Sequence, residues 1–157
     1  MNTTRCLPAL LVCACLLSLS PPSAAQDAAP QPGGDSAEQE RIFREYAKCY
    51  SFYSIAHFLF GSMNMRDQVR FYLQRTELTY LHATLSAEQY GLNINSFVNT
   101  SLLHRNMMMQ ELGDHDGNVQ VLLDNYQRLC EEMTSRIPAA TLEHYERVKR
   151  DLREPPV

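Results

Sequence analysis

From Asp35 to Arg153 the apolar residues recur every three or four positions and never in a sustained alternation of two. That period belongs to the α-helix, where positions three and four apart share a face; a half-buried strand would need every second residue. The punctuation agrees. Gly61–Asn64, Gly91–Asn93 and Gly113–Gly117 break the pattern as short links, and short links turn consecutive helices back on one another. With only 6 glycines and no tryptophan in 157 residues, a turn-rich β-sandwich is excluded.

The first helix is expected from Asp35, where Glu38 completes a capping-box pattern, to about Ser62. Ile42, Phe43, Tyr46, Cys49, Tyr50, Tyr53, Ala56 and Phe60 fall on one face, with Phe52, Ile55, Phe58 and Leu59 on the other. A helix apolar nearly all round should be the most buried one. The second runs from Asn64 to Tyr90. It carries a main stripe of Met65, Val69, Tyr72, Leu73, Thr76, Tyr80 and Ala83, a second of Phe71, Leu78 and Leu85, and a left-handed stop at Gly91. The third runs from Asn93 to Leu112, with Ile94, Val98, Met109 and Leu112 toward the core. The fourth, from Asp116 or Asn118 to Arg136, reads as an unbroken amphipath through Leu122, Tyr126, Cys130 and Met133. Pro138 ends it. A short last helix, Ala140 to Arg153, is expected to pack through Leu142, Tyr145, Val148 and Leu152. The fold expectation is all-α: an antiparallel up-down four-helix bundle over 36–157 with a short fifth C-terminal helix.

Ahead of the bundle, Arg5, an apolar run from Leu7 to Leu19, Pro21-Pro22 and Ser23-Ala24-Ala25 form the three parts of a secretory signal peptide over 1–25. The run falls short of the roughly 20 residues that span a bilayer. Residues 26–35 are rich in Pro and Gly and read as a disordered linker. Three of the five cysteines lie in the leader, so Cys49 and Cys130 remain. A pair in an exported chain points to one disulfide, here joining the first and fourth helices. Export places the chain in the periplasm or outside the cell.

Chemistry-bearing patterns are sparse. There is no Gly-rich phosphate loop, no GxSxG, no HExxH and no CxxCH, and the disulfide consumes both mature thiols. No catalytic residue is expected. Net charge is −4, from 14 basic and 18 acidic residues. Arg147, Lys149, Arg150 and Arg153 are interleaved with acids, so no basic stripe for nucleic acid is present. Asn99-Thr100-Ser101 matches a glycosylation acceptor but sits in a helix. Asp114-His115-Asp116 reads as a turn, too poor in acids for a Ca²⁺ loop. His104, Met107 and Met108 place an imidazole and two thioethers at i, i+3 and i+4, a set that suits copper or haem iron; methionine as adaptable packing is the simpler reading. His57 and Arg105 fall on apolar arcs and are candidate buried polar anchors.

What remains is surplus apolar surface. Phe52, Phe58, Leu59, Phe71, Leu78, Leu85, Leu103 and Met107 exceed what a four-helix core needs, and aromatic and Met enrichment marks interface cores. The chain is therefore expected to be an exported, non-enzymatic protein-interaction module of the bacterial envelope, without cofactor or metal. An inhibitor or immunity factor, or an assembly or chaperone-like factor, would use such aromatic- and Met-rich faces, and a homodimer is the simplest partner. The alternative is a periplasmic haem- or copper-binding helical carrier.

Overall fold

A computed structural model describes residues 36–115 and 118–153. The expected leader (1–25) and linker (26–35) lie outside the described residues. All regular structure among the described residues is helical: α1 (Ser36–Ser62), α2 (Arg66–Tyr90), α3 (Ile94–Asp114), α4 (119–135) and α5 (Ala139–Arg153).

The helices stop where local chemistry stops them. Asn64 takes a left-handed φ of 57° in the turn after α1, a conformation that asparagine tolerates better than most residues. Gly91, at φ 66°, closes α2, its N–H and that of Leu92 both donating to the Ala87 carbonyl. Asn93 and Asn118 cap α3 and α4 by accepting from the backbone N–H two residues on, at 2.9 and 3.0 Å. Pro138 separates α4 from α5.

In α4 the expected unbroken α-helix is Val119–Leu122, a π-helical turn at Leu123–Gln127, and Arg128–Ser135, continuous in backbone. A π turn absorbs extra chain per turn. Its effect is to shift the phase of the buried stripe between Leu122 and Cys130.

The long helix α1 occupies the centre. Its buried residues, Tyr46, Ala47, Cys49, Ser51, Phe52, Tyr53, Ile55 and Ala56 among them, lie on every side of it. Accordingly α2, α3 and α4 each pack against α1, while α2 and α3 touch each other little. The α1–α2 seam is aromatic: Phe60 stacks on Tyr72 at 5.2 Å, and Phe52 meets Tyr72 edge-on. Two serines let α1 and α3 approach closely; Ser51 Oγ donates to the Ser101 carbonyl at 2.7 Å. Against α4, the Tyr46 hydroxyl donates to the Met133 carbonyl and the Tyr53 hydroxyl pairs with Thr134 Oγ1 at 3.2 Å. Between those contacts Cys49 and Cys130, both fully buried, form the expected disulfide, with Cα atoms 5.2 Å apart.

The last helix does not pack as its stripe suggests. Thr141 and Tyr145 are its buried residues, and the Tyr145 hydroxyl donates to Glu77 of α2 at 2.7 Å. Leu142, Val148 and Leu152 stay exposed, Leu152 at 80%. Its main neighbour among the described residues is α2, and a helix docked chiefly on one neighbour buries only a narrow strip.

Candidate functional site

Because α2 and α3 diverge over α1, a groove opens between them. Its floor is the side of α1 carrying Tyr50, Ser51 and Ser54; its walls are Tyr80 from α2 and Phe97, Val98, Leu102 and Arg105 from α3. Together they enclose a socket of about 150 Å³, the scale of one large apolar side chain. Three rings define its base. Phe97 is buried and contacts Tyr50, Tyr80 and Phe43 at centroid distances of 5.6, 6.2 and 5.4 Å.

The same faces continue past the socket. On α2, Leu73 lies two turns before Tyr80; on α3, Val98, Leu102, Arg105 and Met109 share one stripe; on α1, Phe58 lies one turn beyond Ser54. α1 runs antiparallel to α2, with Tyr50 against Tyr80 and Phe60 against Tyr72. It runs alongside α3 in the same direction, with Phe43 against Phe97 and Ser51 against Ser101. Phe58, Leu73 and Met109 therefore belong to one end of the groove. All three are exposed, Phe58 at 71%.

The exterior of α3 is unusual in its charge. From Ile94 to Gln110 the only charged residue is Arg105; the other exposed positions are amides, a serine, and Val98, Leu102, Leu103, Met107 and Met109. Compare α5, whose outer face alternates acids and bases throughout. Arg105 itself is exposed and, among the described residues, makes no ion pair or hydrogen bond. This corrects its expected place: it is no buried anchor but stands at the mouth of the socket.

The other expected site residues scatter. Phe52 and Leu78 are core, at 0% and 4% exposure, and leave the interface set. Phe52 is enclosed because α1 is central; Leu78 belongs to the same buried cluster. Leu59 and Leu85 are half-buried, Leu59 packing on the core. Phe58, Phe71, Leu103 and Met107 are exposed but do not share a face. Phe71 lies across α2 from Leu73 and Tyr80, its ring under the Arg75 guanidinium at 5.2 Å. Leu103 and Met107 lie beyond the amide strip of α3. His57 is half-buried, its Nδ1 3.1 Å from the Val69 carbonyl in the α1–α2 seam.

The thioether-imidazole set does not converge. Met108 is wholly buried, Met107 projects outward, and burial followed by the nearby Lys48 holds the His104 imidazole below its ordinary pKa. Among the described residues no group of three His, Cys, Asp or Glu side chains is arranged to hold a metal. No described helix is long and apolar enough to cross a membrane.

The periodicity places Tyr80, Leu73, Val98 and Met109 toward the core; Tyr80 and Val98 line the socket instead, and Leu73 and Met109 stand exposed on the same helix faces. The charge-free stretch of α3 was the signal that could have placed them outside. Comparison of the chain with protein-family models, with curated proteins and with solved structures finds no match in any of the three.

Proposed function

We propose that the chain is an exported, non-enzymatic interaction module that seats a helix of a partner protein in the groove between α2 and α3. The observation that carries this reading is the uncharged exterior of α3 around a single arginine. Charge depletion with Met, aromatic and Arg enrichment is the composition of interface cores, and a solvated helix face normally carries far more charge. An amphipathic helix laid in an apolar groove is a recurring mode of recognition. Tyr50 to Phe58 spans about 12 Å of α1, so two to three turns of a partner helix would cover the groove. Its chemistry follows from the lining: an apolar anchor for the socket and a carboxylate nearby for Arg105.

A buried disulfide supports assembly in an oxidising compartment, which fits an inhibitor, immunity or assembly factor of the bacterial envelope. A homodimer would use the same groove, although the stripe that a second copy of α3 would present to Arg105 has no acid. Native mass spectrometry of the chain purified from the exported fraction tests the proposal. The expected spectrum shows the oxidised chain bound to one further polypeptide, lost in Arg105→Glu and Leu102→Asp variants of unchanged Tm. A complex that survives both variants would refute the groove as the site. A retained haem or copper ion would favour the carrier alternative.

A further inference from the structure

A second concavity lies at the other end of α1, independent of the groove. It has a volume of about 560 Å³ and sits between the first turns of α1, the last three turns of α2 and the end of α4. That size falls within the range of small-molecule pockets. Its apolar lining includes Ile42, Leu92, Leu129 and Met133, and its inner wall holds the Tyr46 ring packed edge-on against the His82 imidazole at 4.7 Å.

The frame is rigid. Cys49 lies one turn beyond Tyr46, and Cys130 one turn before Met133, so the disulfide clamps two of the three walls at the fixed spacing of the bridge. The Tyr46 hydroxyl is committed to the Met133 carbonyl at 3.0 Å. The rim ions are committed too: Glu38 to Arg41 by two bonds of 2.8 Å, Glu45 to Lys48 at 2.7 Å, and Glu132 to Arg136. Gln39, Ser86, Gln89 and Tyr90 also line the cleft without a bond to another described side chain, but they stay open to water; His82 differs in being set into the inner wall. Its Nδ1 is enclosed and, among the described residues, no protein group bonds it. Buried polar atoms without a partner are rare and need a cause. Burial also holds this imidazole below its ordinary pKa, so near neutral pH the ring is uncharged, with one N–H and one lone pair.

We propose that this cleft binds an uncharged, largely apolar small molecule with a polar group that hydrogen-bonds the His82 imidazole through Nε2, the ring nitrogen that is not enclosed. The rim charges already stand in opposite-sign pairs, so a charged ligand would meet counter-ions that are largely neutralised by their partners. An apolar ligand with no polar group would enclose the imidazole further and leave it unbonded.

Three probes with one aromatic body separate the classes: indole-3-acetamide, uncharged; indole-3-acetate, an anion; and tryptamine, a cation. Each is titrated into the oxidised full chain while NMR follows the His82 ring nitrogens. Indole-3-acetamide should bind one to one and shift those nitrogens, with the two charged probes roughly tenfold weaker or more, the cost of one lost charge-assisted bond. His82→Phe should weaken the acetamide roughly 5- to 10-fold, one hydrogen bond. Ser86→Trp, one turn further along α2, should fill the cleft and abolish binding, with Tm showing that each variant is folded. The proposal is overturned if indole-3-acetamide does not bind, if a charged probe binds as well as it does, or if binding survives Ser86→Trp.

Discussion

Replacing both Cys49 and Cys130 with alanine removes the link between the central helix and α4. The bridge closes a loop with a sequence separation of 81. In the chain-entropy model a loop of that length restricts the unfolded chain by about 15 cal/mol/K, or about 4.5 kcal/mol at 25 °C. Both cysteines are fully buried, so the loss of the two sulfur atoms should add about 1 kcal/mol for the void. The expected cost is thus about 5.5 kcal/mol, a large share of the roughly 5–15 kcal/mol typical of a domain. Urea unfolding of the oxidised wild type, the reduced wild type and the double variant reads it directly. The oxidised form should have the highest midpoint. The other two should lie close together, with steeper transitions because their unfolded chains are more expanded. A double variant within about 1 kcal/mol of oxidised wild type would refute the entropic argument and the assignment of the bridge as a frame for the core.

Three further expectations follow from individual residues. Phe97→Ala should cost about 3–5 kcal/mol, because Phe97 is buried among three aromatic rings. Leu102→Ser, at a half-exposed socket position, should stay within about 1 kcal/mol of wild type; calorimetry that reversed this order would refute the placement of the groove. Burial pushes the Tyr53 phenol up to about 12, against the hydrogen bond it shares with Thr134, which lowers it. A raised pKa means the folded state holds the proton more tightly, so this contribution, about 2–3 kcal/mol, is complete below pH 10 and lost as pH rises toward 12. Urea midpoints measured across that range should fall more steeply for wild type than for Tyr53→Phe; parallel slopes would count against it. For His82 the sign reverses. Its pKa is lowered by burial, so its share of stability is present above pH 6.5 and lost as pH falls through the folded-state value. Wild type should therefore lose more Tm than His82→Phe between pH 7 and pH 5, and identical profiles would refute the burial of that ring.

Helix number, order and ends were legible in the sequence because they depend on local chemistry. Gly91, Asn93 and Pro138 act on their own turns, and the Cys49–Cys130 pairing needed only that both fall on core faces. What could not be read was how many neighbours each face would have. Periodicity says that Leu73 and Tyr80, or Val98 and Met109, share a side; it does not say that α2 and α3 part over α1 and leave those sides exposed. Phe52 and Leu78 fail in the opposite sense. They read as surplus, but one sits on a helix surrounded by others and the other joins the same buried cluster. The π turn in α4 has no marker in its residues, Leu123–Gln127. His82 could not be singled out either, since its surroundings come from three helices distant in sequence. Arg105 falls on an apolar arc in the sequence; its exposure at the socket mouth shows why a charge is tolerated there.

The central claim is that the α3 face around Arg105 meets a partner. Site-specific photo-crosslinking in the native compartment tests it most directly, with benzoylphenylalanine placed at Leu102 and, as control, at Arg147 on the charged face of α5. The account predicts a single discrete adduct from Leu102, abolished by Arg105→Glu, and none from Arg147. Its mass shows whether the partner is a second copy of the chain or another protein. A folded, exported chain that gives no adduct from Leu102, or equal adducts from both positions, would contradict the claim.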